Sequence, residues 1–180
     1  LKLYGDKKVI LGVGQLQSRK GVEDFLDIAE ALPEAEFIWV GGRPFGKLTE
    51  GIKRINNRIK TVSAHIHFRG LFDLADMPAI YAAADVLLFT SYQENCPLAP
   101  LEAAACGMPV VYRDIQEYNL LYEKPYLKGK TISDFINITQ KLITEPDFYA
   151  EGLQLSADLI KQFDQEKIRQ KLIDLYQSLL

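Results

Sequence analysis

The 180-residue sequence has only two cysteines, two histidines and no excess of positive charge. Cys96 and Cys106 match neither a disulfide scaffold nor a metal knuckle, and a reducing cytosol suits them. His65 and His67 alternate on one candidate strand with no third ligand nearby in sequence, so no metal is expected. A formal net charge of −3 creates no basic field, which argues against a nucleic-acid partner. Asp85 interrupts the longest apolar stretch, so no run reaches the roughly 18 residues of a membrane span. No signal peptide is visible, but the sequence begins at Leu1 and reads as an excised fragment, so any targeting signals would lie in the missing part. What is present is ordinary globular composition, 48% hydrophobic and 25% charged. That suffices for one domain or one lobe of a larger protein, burying roughly 70% of its unfolded surface.

Apolar runs alternate with segments of helical period. Strands are expected at residues 9–13, 36–40, 65–68, 86–89 and 109–112. Between them, Val22, Phe25, Leu26, Ile28, Ala29 and Leu32 form one helix face that Pro33 ends. Residues 49–60 read as a basic amphipathic helix with Ile52, Ile55 and Ile59 inward and Lys53, Arg54, Arg58 and Lys60 solvated. Met77, Ile80, Tyr81 and Ala84 mark a short helix over 76–84, and residues 98–106 form another, closed by Gly107. Beyond Arg113 the strand signal fades and helices are expected at 133–144, 147–163 and 165–180; residues 122–130 fit no element. Strand–helix alternation of this kind specifies an α/β fold, a doubly wound, Rossmann-like parallel sheet, here with a helical carboxy-terminal segment.

In open parallel sheets, ligands bind beyond the carboxyl ends of the strands. Four loops leave those ends, at residues 14–21, 41–46, 69–73 and 91–97, and glycine and polar residues concentrate in them. Gly12-Val13-Gly14 is too little for a dinucleotide site: Gln17 stands where the third glycine should be, and strand two ends in Val40-Gly41-Gly42 rather than an acid. The sharper pattern is Ser91-Tyr-Gln-Glu94-Asn-Cys-Pro-Leu-Ala-Pro-Leu-Glu102-Ala-Ala-Ala-Cys-Gly107-Met-Pro109-Val-Val, where two glutamates bracket a strand-to-helix turn. Pro97 and Pro100 are tolerated only in a loop or first helical turn. The amides of Asn95, Cys96 and Leu98 then lie at a helix N-terminus suited to anionic oxygens. Glu102 falls beside Leu98, Leu101 and Ala105, where a carboxylate is costly unless it finds donors. Spacing alone is equally consistent with Glu94 capping the helix and Glu102 being a surface residue.

This segment resembles the E-x7-E signature of retaining glycosyltransferases of the GT-B fold. The likeness extends to Arg19-Lys20-Gly21, Phe68-Arg-Gly-Leu71 and Tyr81-Ala-Ala-Ala-Asp85-Val86, and covers about residues 8–113 in order. It implies a carboxy-terminal, nucleotide-sugar-binding domain spanning residues 1–180, with the acceptor-binding amino-terminal domain outside the chain. In that family pattern Glu102 accepts hydrogen bonds from ribose, Glu94 lies against the donor sugar, and Asn95, Cys96, Pro97 and Leu98 hold sugar hydroxyls and phosphate. Lys20 neutralises the leaving diphosphate, and Gly14 opens its loop. An arginine normally follows the second glycine of that loop, but Gln15 stands there instead. Arg19 is a substitute, though a solvated Arg19 is equally consistent with the sequence. Backbone around Gly70 and Leu71 reads the base. Glu94 and Lys20 are thus the candidate catalytic residues, with no cofactor and no metal.

Four further strings resemble the bacterial diacylglycerol α-glucosyltransferases. They are the Gly-Gln-Leu-Gln-Ser-Arg-Lys-Gly loop, Phe37-Ile-Trp-Val-Gly-Gly-Arg-Pro-Phe45, Tyr112-Arg-Asp-Ile-Gln-Glu-Tyr118 and Tyr126-Leu-Lys-Gly129. That likeness implies UDP-glucose as donor, a lipid acceptor reached through the missing lobe, glycolipid anchors for lipoteichoic acid as product, and a cytoplasmic enzyme peripheral at the inner membrane face. Transferases using GDP-mannose or UDP-N-acetylglucosamine, and a non-catalytic scaffold, stay open; epimerases of similar fold lack the two-glutamate arrangement. Trp39 is expected in the core, Cys96 as a small packing residue, residues 118–126 as loop-to-body packing, and Arg113-Asp114 as a strand-end ion pair.

Overall fold

A computed structural model describes residues 5–43 and 51–179. Six parallel strands form one sheet in the order β3-β2-β1-β4-β5-β6. They are β1 (Val9–Val13), β2 (Glu36–Val40), β3 (Ile66–Gly70), β4 (Val86–Phe89), β5 (Val110–Arg113) and β6 (Leu127–Gly129). The helices are α1 (Val22–Ala31), α2 (Ile52–Ile59), α3 (Met77–Ala82), α4 (Leu98–Ala105), α5 (Gln116–Leu121), α6 (Ile132–Thr144), α7 (Pro146–Ile160) and α8 (Gln165–Ser178). β1 pairs with both β2 and β4, so the winding direction reverses between β1 and β4. That switch point opens a crevice beyond their carboxyl ends.

The two-residue period of the strands assigns two cores. Ile10, Phe37, Trp39, Leu88 and Val111 face one side with Phe25, Leu26, Ile55 and Phe135 from α1, α2 and α6. Leu11, Leu87, Phe89 and Tyr112 face the other, against Tyr81, Leu101, Tyr118 and Leu159 from α3, α4, α5 and α7. All six residues expected on the inner face of α1 are buried. Trp39 is buried as expected; its ring packs edge-on against Phe25 at 5.1 Å, an arrangement worth about 0.5–1.5 kcal/mol beyond burial.

Two expectations are revised. Residues 122–130 contain β6, and α5 precedes it; β6 is three residues long with exposed Lys128 at its centre, too short and polar to show a strand period. The basic face of α2 is solvated as expected, with Lys53, Arg54 and Lys60 exposed, and it also ties α2 to α1: Arg54 donates to Glu23 at 2.6 Å and Arg58 to Asp27 at 2.6 Å. The start of the helix expected at 49–60 falls partly outside the described residues, as do 44–46 of the second loop. Arg113 and Asp114 do not pair with each other: Asp114 accepts from Lys128 at 2.9 Å, while Arg113 turns inward to Asp24.

Candidate functional site

The loop after β1 is fastened to the end of β2. Gly14 N–H donates to the Val40 carbonyl at 2.9 Å, Leu16 N–H to Gly42 at 2.9 Å, and the Trp39 indole to the Gly14 carbonyl at 2.9 Å. Gly41 permits this approach, since a Cβ there would sit 1.8 Å from the Gly14 oxygen. The loop then makes one 3-10 turn, Ser18–Lys20, and enters α1 through Gly21 at φ 68°. Only glycine adopts that backbone cheaply, and a Cβ at Gly21 would lie 2.1 Å from the Thr90 carbonyl oxygen.

The reason for that tight contact is a seam between the loops after β1 and β4. The Thr90 hydroxyl donates to the Gly21 carbonyl at 2.9 Å, and the Ser91 hydroxyl and Tyr92 N–H donate to the Arg19 carbonyl at 3.1 and 2.8 Å. Across the seam, at the switch point, the Lys20 ammonium donates to the Glu94 carboxylate. Both side chains are largely withdrawn from water, at 15% and 9% exposure. Lys20 also lies 5.9 Å from the centroid of the Phe89 ring, a cation–π contact. Arg19 Nε donates to Gln17 Oε1 at 3.0 Å, and Gln17 donates in turn to Gln15. Arg19 Nη1 reaches the Gln93 carbonyl at 3.3 Å. Arg19, Gln93, Glu94, Asn95 and Cys96 line an open cleft of about 390 Å³.

Glu94 does not cap α4: the N-cap position is Pro97, with no side-chain cap. Pro97 and Pro100 occupy the cap and first turn, where the missing N–H groups cost no helical bond. The expected apolar surroundings of Glu102 are corrected. The buried side of α4 is Pro100, Leu101, Ala103 and Ala104, whereas Leu98 is 65% exposed and Glu102 faces solvent. Its carboxylate still has a fixed donor, the hydroxyl of buried Tyr81 on α3, at 2.8 Å. Burial and, next, the hydrogen bond to Glu102 push the Tyr81 hydroxyl pKa up, so that it holds its proton and donates.

At the end of β3, the Gly70 carbonyl accepts from Gly41 N–H at 2.8 Å. Leu71 is 77% exposed and lies beside Gly42. The structure therefore gathers Arg19, Glu94, Asn95 and Cys96 around one cleft, with Lys20 reaching it through its pair with Glu94, Gly14 against the Lys20 side chain, and Gln15 linked to Arg19 through Gln17. Gly70, Leu71 and Glu102 stand on the same edge of the sheet but outside the cleft lining. Cys96 is exposed rather than a packing residue. His65 meets the Ala29 carbonyl at 2.9 Å and His67 meets Glu36 at 2.8 Å, both structural contacts. Among the described residues, no group of three or more His, Cys, Asp or Glu is placed to hold a metal ion. Tyr112, Tyr118, Tyr122 and Tyr126 pack on one another and on Phe163, fastening the loop to the body as expected.

Asp24, Tyr81, Thr90 and Tyr92 were not among the expected site residues, although each touches one or its loop. Their contacts join elements up to 89 residues apart; the positions of Tyr92 and Tyr81 inside strings that carry the family resemblance hinted at those two, and nothing in the sequence pointed to Asp24 or Thr90.

A family profile described as glycosyl transferases group 1 matches residues 7–143. The chain belongs to that family. This group 1 domain is 31% identical over 180 residues to the processive diacylglycerol alpha-glucosyltransferase of Acholeplasma laidlawii, covering 99% of the chain and 53% of that protein. It is 29% identical over 178 residues to the alpha-galactosylglucosyldiacylglycerol synthase of Streptococcus pneumoniae, covering 99% and 48% respectively. The chain thus spans about half the length of these curated relatives. In fold it is similar to Anabaena HepE, solved in complex with UDP-glucose, at a TM-score of 0.81 and 24% identity over 96% of the chain and 49% of HepE. Its architecture is that of one lobe of a GT-B glycosyltransferase.

Proposed function

We propose that this chain is the donor-binding lobe of a retaining glycosyltransferase that moves glucose from UDP-glucose to a hydroxyl of a diacylglycerol-based lipid. The observation that carries the reading is the Lys20–Glu94 pair, supplied by the two loops that flank the switch point of the sheet. An ammonium and a carboxylate held there suit a donor with an anionic diphosphate and a hydroxyl-rich sugar. On donor entry the pair exchanges partners: Lys20 turns to the diphosphate and Glu94 to sugar hydroxyls. Negative charge grows on the diphosphate as the glycosidic bond breaks, so cations held beside it lower the barrier.

Arg19 is the second cation in this proposal. It reaches the cleft that Gln15 cannot serve, and Gln17 links the two positions. Together Lys20 and Arg19 supply the positive charge without a divalent ion. Glu102, aimed by Tyr81, takes the ribose hydroxyls, while the backbone of Gly70 and Leu71 faces the base. Asn95, Cys96, Pro97 and Leu98 at the start of α4 meet the sugar and phosphate oxygens.

The lipid acceptor belongs to the names of the two curated relatives and comes to this chain as part of the proposal. The acceptor site and any base acting on the acceptor would lie in a further, amino-terminal lobe. Exposed Ile168, Leu172, Leu175 and Tyr176 on α8, with Leu179 just after it, offer an apolar face that such a lobe would cover. In that arrangement the 180 residues alone bind donor and do not turn over. The longer enzyme would be cytoplasmic and peripheral at the inner membrane face, contributing to lipoteichoic acid anchors. Among the described residues no helix is long and apolar enough to cross a membrane.

The S. pneumoniae relative is named for a galactosylated product, so UDP-galactose is the competing donor. Titration calorimetry with UDP, GDP and ADP, then with UDP-glucose and UDP-galactose, tests the reading. Selective UDP binding, weakened by Glu102→Ala, is expected. Preference for GDP or ADP would overturn the assignment of donor.

A further inference from the structure

Beneath the seam lies a buried charged network outside the donor-facing residues. The Arg113 guanidinium at the end of β5 pairs with Asp24 in the first turn of α1, and both side chains are withdrawn from water, at 7% and 13% exposure. Arg113 Nε donates to the Thr90 carbonyl at 2.8 Å, at the point where the chain leaves β4. Tyr92, itself half-exposed, completes the group from its solvent side. Its ring lies 3.9 Å from the guanidinium carbon, and its hydroxyl donates to Asp24 Oδ2 at 2.6 Å. Phe135 of α6 flanks the guanidinium at 5.4 Å. Three elements, α1, β5 and the loop after β4, are thus joined at one point, directly behind the turn that carries Lys20 and two residues before Glu94.

A buried ion pair is weak as a source of stability, because desolvation offsets most of the attraction. Its geometric effect is stronger. The guanidinium offers a planar fork with fixed directions, and here that fork specifies at once a carboxylate, a carbonyl and a ring face. We propose that Asp24, Tyr92 and Arg113 are positioning residues that pin the loop after β4 to the start of α1 and so fix how Lys20 and Glu94 face the donor. The proposal rests on the nucleotide-sugar reading for its effect on affinity, but its effect on the loop stands without it.

The test uses three variants of the chain. Arg113→Met alone would leave Asp24 buried and unpaired and is avoided. Asp24→Leu combined with Arg113→Met removes both charges, an exchange that leaves many proteins as stable as before. Tyr92→Phe keeps the ring on the guanidinium and removes only the bond to Asp24. Arg113→Lys keeps the charge and loses the fork. Two quantities are read: backbone amide exchange across residues 90–98 against that of β1, β2 and β4, and UDP affinity by calorimetry. The paired variant is expected to exchange about tenfold faster in 90–98 with core protection unchanged, and to bind UDP about tenfold more weakly. Arg113→Lys should fall between it and wild type, and Tyr92→Phe should weaken UDP about threefold. Wild-type loop protection or wild-type affinity in a folded paired variant would overturn the proposal. If the paired variant does not fold, Tyr92→Phe decides by the same two readings. If wild-type chain binds no UDP, the nucleotide-sugar reading fails, and loop exchange alone decides whether the network positions the loop.

Discussion

Removing one oxygen, by Tyr81→Phe, separates the two roles assigned to the Tyr81–Glu102 contact. The hydroxyl is buried, and it donates to Glu102 at 2.8 Å. A hydrogen bond to a charged group contributes about 1.5–3 kcal/mol when both partners are sequestered. Glu102 faces solvent, however, so water replaces the lost donor, and phenylalanine leaves no orphaned polar atom on α3. The expected loss is therefore about 1 kcal/mol, or roughly 2–4 °C in melting temperature for a chain of this size. For the ligand the cost arises differently. Without Tyr81 the carboxylate samples several rotamers, and ordering one long side chain costs about 0.5–1.5 kcal/mol at binding. UDP affinity should fall roughly threefold to tenfold. Thermal melts and calorimetry on Tyr81→Phe and Glu102→Ala give both numbers. If Tyr81→Phe lowers the melting temperature but leaves UDP affinity unchanged while Glu102→Ala weakens it, Tyr81 does not aim Glu102 and the reasoning fails. A loss above about 100-fold would also refute it, because the hydroxyl would then have to touch the ligand itself.

Lys20→Met should reduce UDP affinity by at least about tenfold, and calorimetry in rising salt should show a shallower salt dependence than wild type. Gly21→Ala should destabilise the chain by more than 1 kcal/mol or so, since the new Cβ meets the Thr90 carbonyl at 2.1 Å in a left-handed backbone; urea unfolding with an unchanged m-value measures it. Glu36 gives a pH test. Burial alone would raise its pKa, but hydrogen bonds from Lys7 and His67 outweigh burial and hold it below the usual 4.5. A depressed carboxylate adds stability that is present above the unfolded value and lost as pH falls through the folded one. The stability gap between wild type and Glu36→Gln should therefore shrink as pH falls below about 5; a gap that widens as Glu36 takes up its proton would contradict the sign.

Much of the fold was legible because parallel strands buried on both faces read as apolar runs. β1, β2 and β4 lie where the pattern put them, and β3 and β5 begin one residue later than expected. β6 escaped because an edge strand with a lysine at its centre has no apolar run to betray it. α8 was legible as a helix with an apolar stripe, and that stripe is exposed; periodicity shows which residues share a face and not what covers it. At the site, Glu94 was singled out by its strand-to-helix turn and Lys20 by the family resemblance, and the switch point between β1 and β4 explains why they meet. Asp24 was invisible for a different reason: an acid in the first turn of a helix reads as a dipole partner, and nothing local announces an arginine 89 residues away. Glu102 falls on α4 as the helical pattern put it, but its surroundings differ from the expectation, since the buried face of α4 is Pro100, Leu101, Ala103 and Ala104 rather than Leu98 and Ala105.

The central claim is that a nucleotide sugar sits across the carboxyl ends of β1, β3 and β4. Amide chemical-shift mapping of the isotope-labelled chain during titration with UDP-glucose tests this most directly. Saturable shifts concentrated at Gly14, Lys20, Gly70, Leu71, Asn95, Cys96, Leu98 and Glu102 are the expected result. Shifts centred instead on the lysine-lined cleft of Lys124, Lys161, Lys167 and Lys171, or none at millimolar donor, would contradict it.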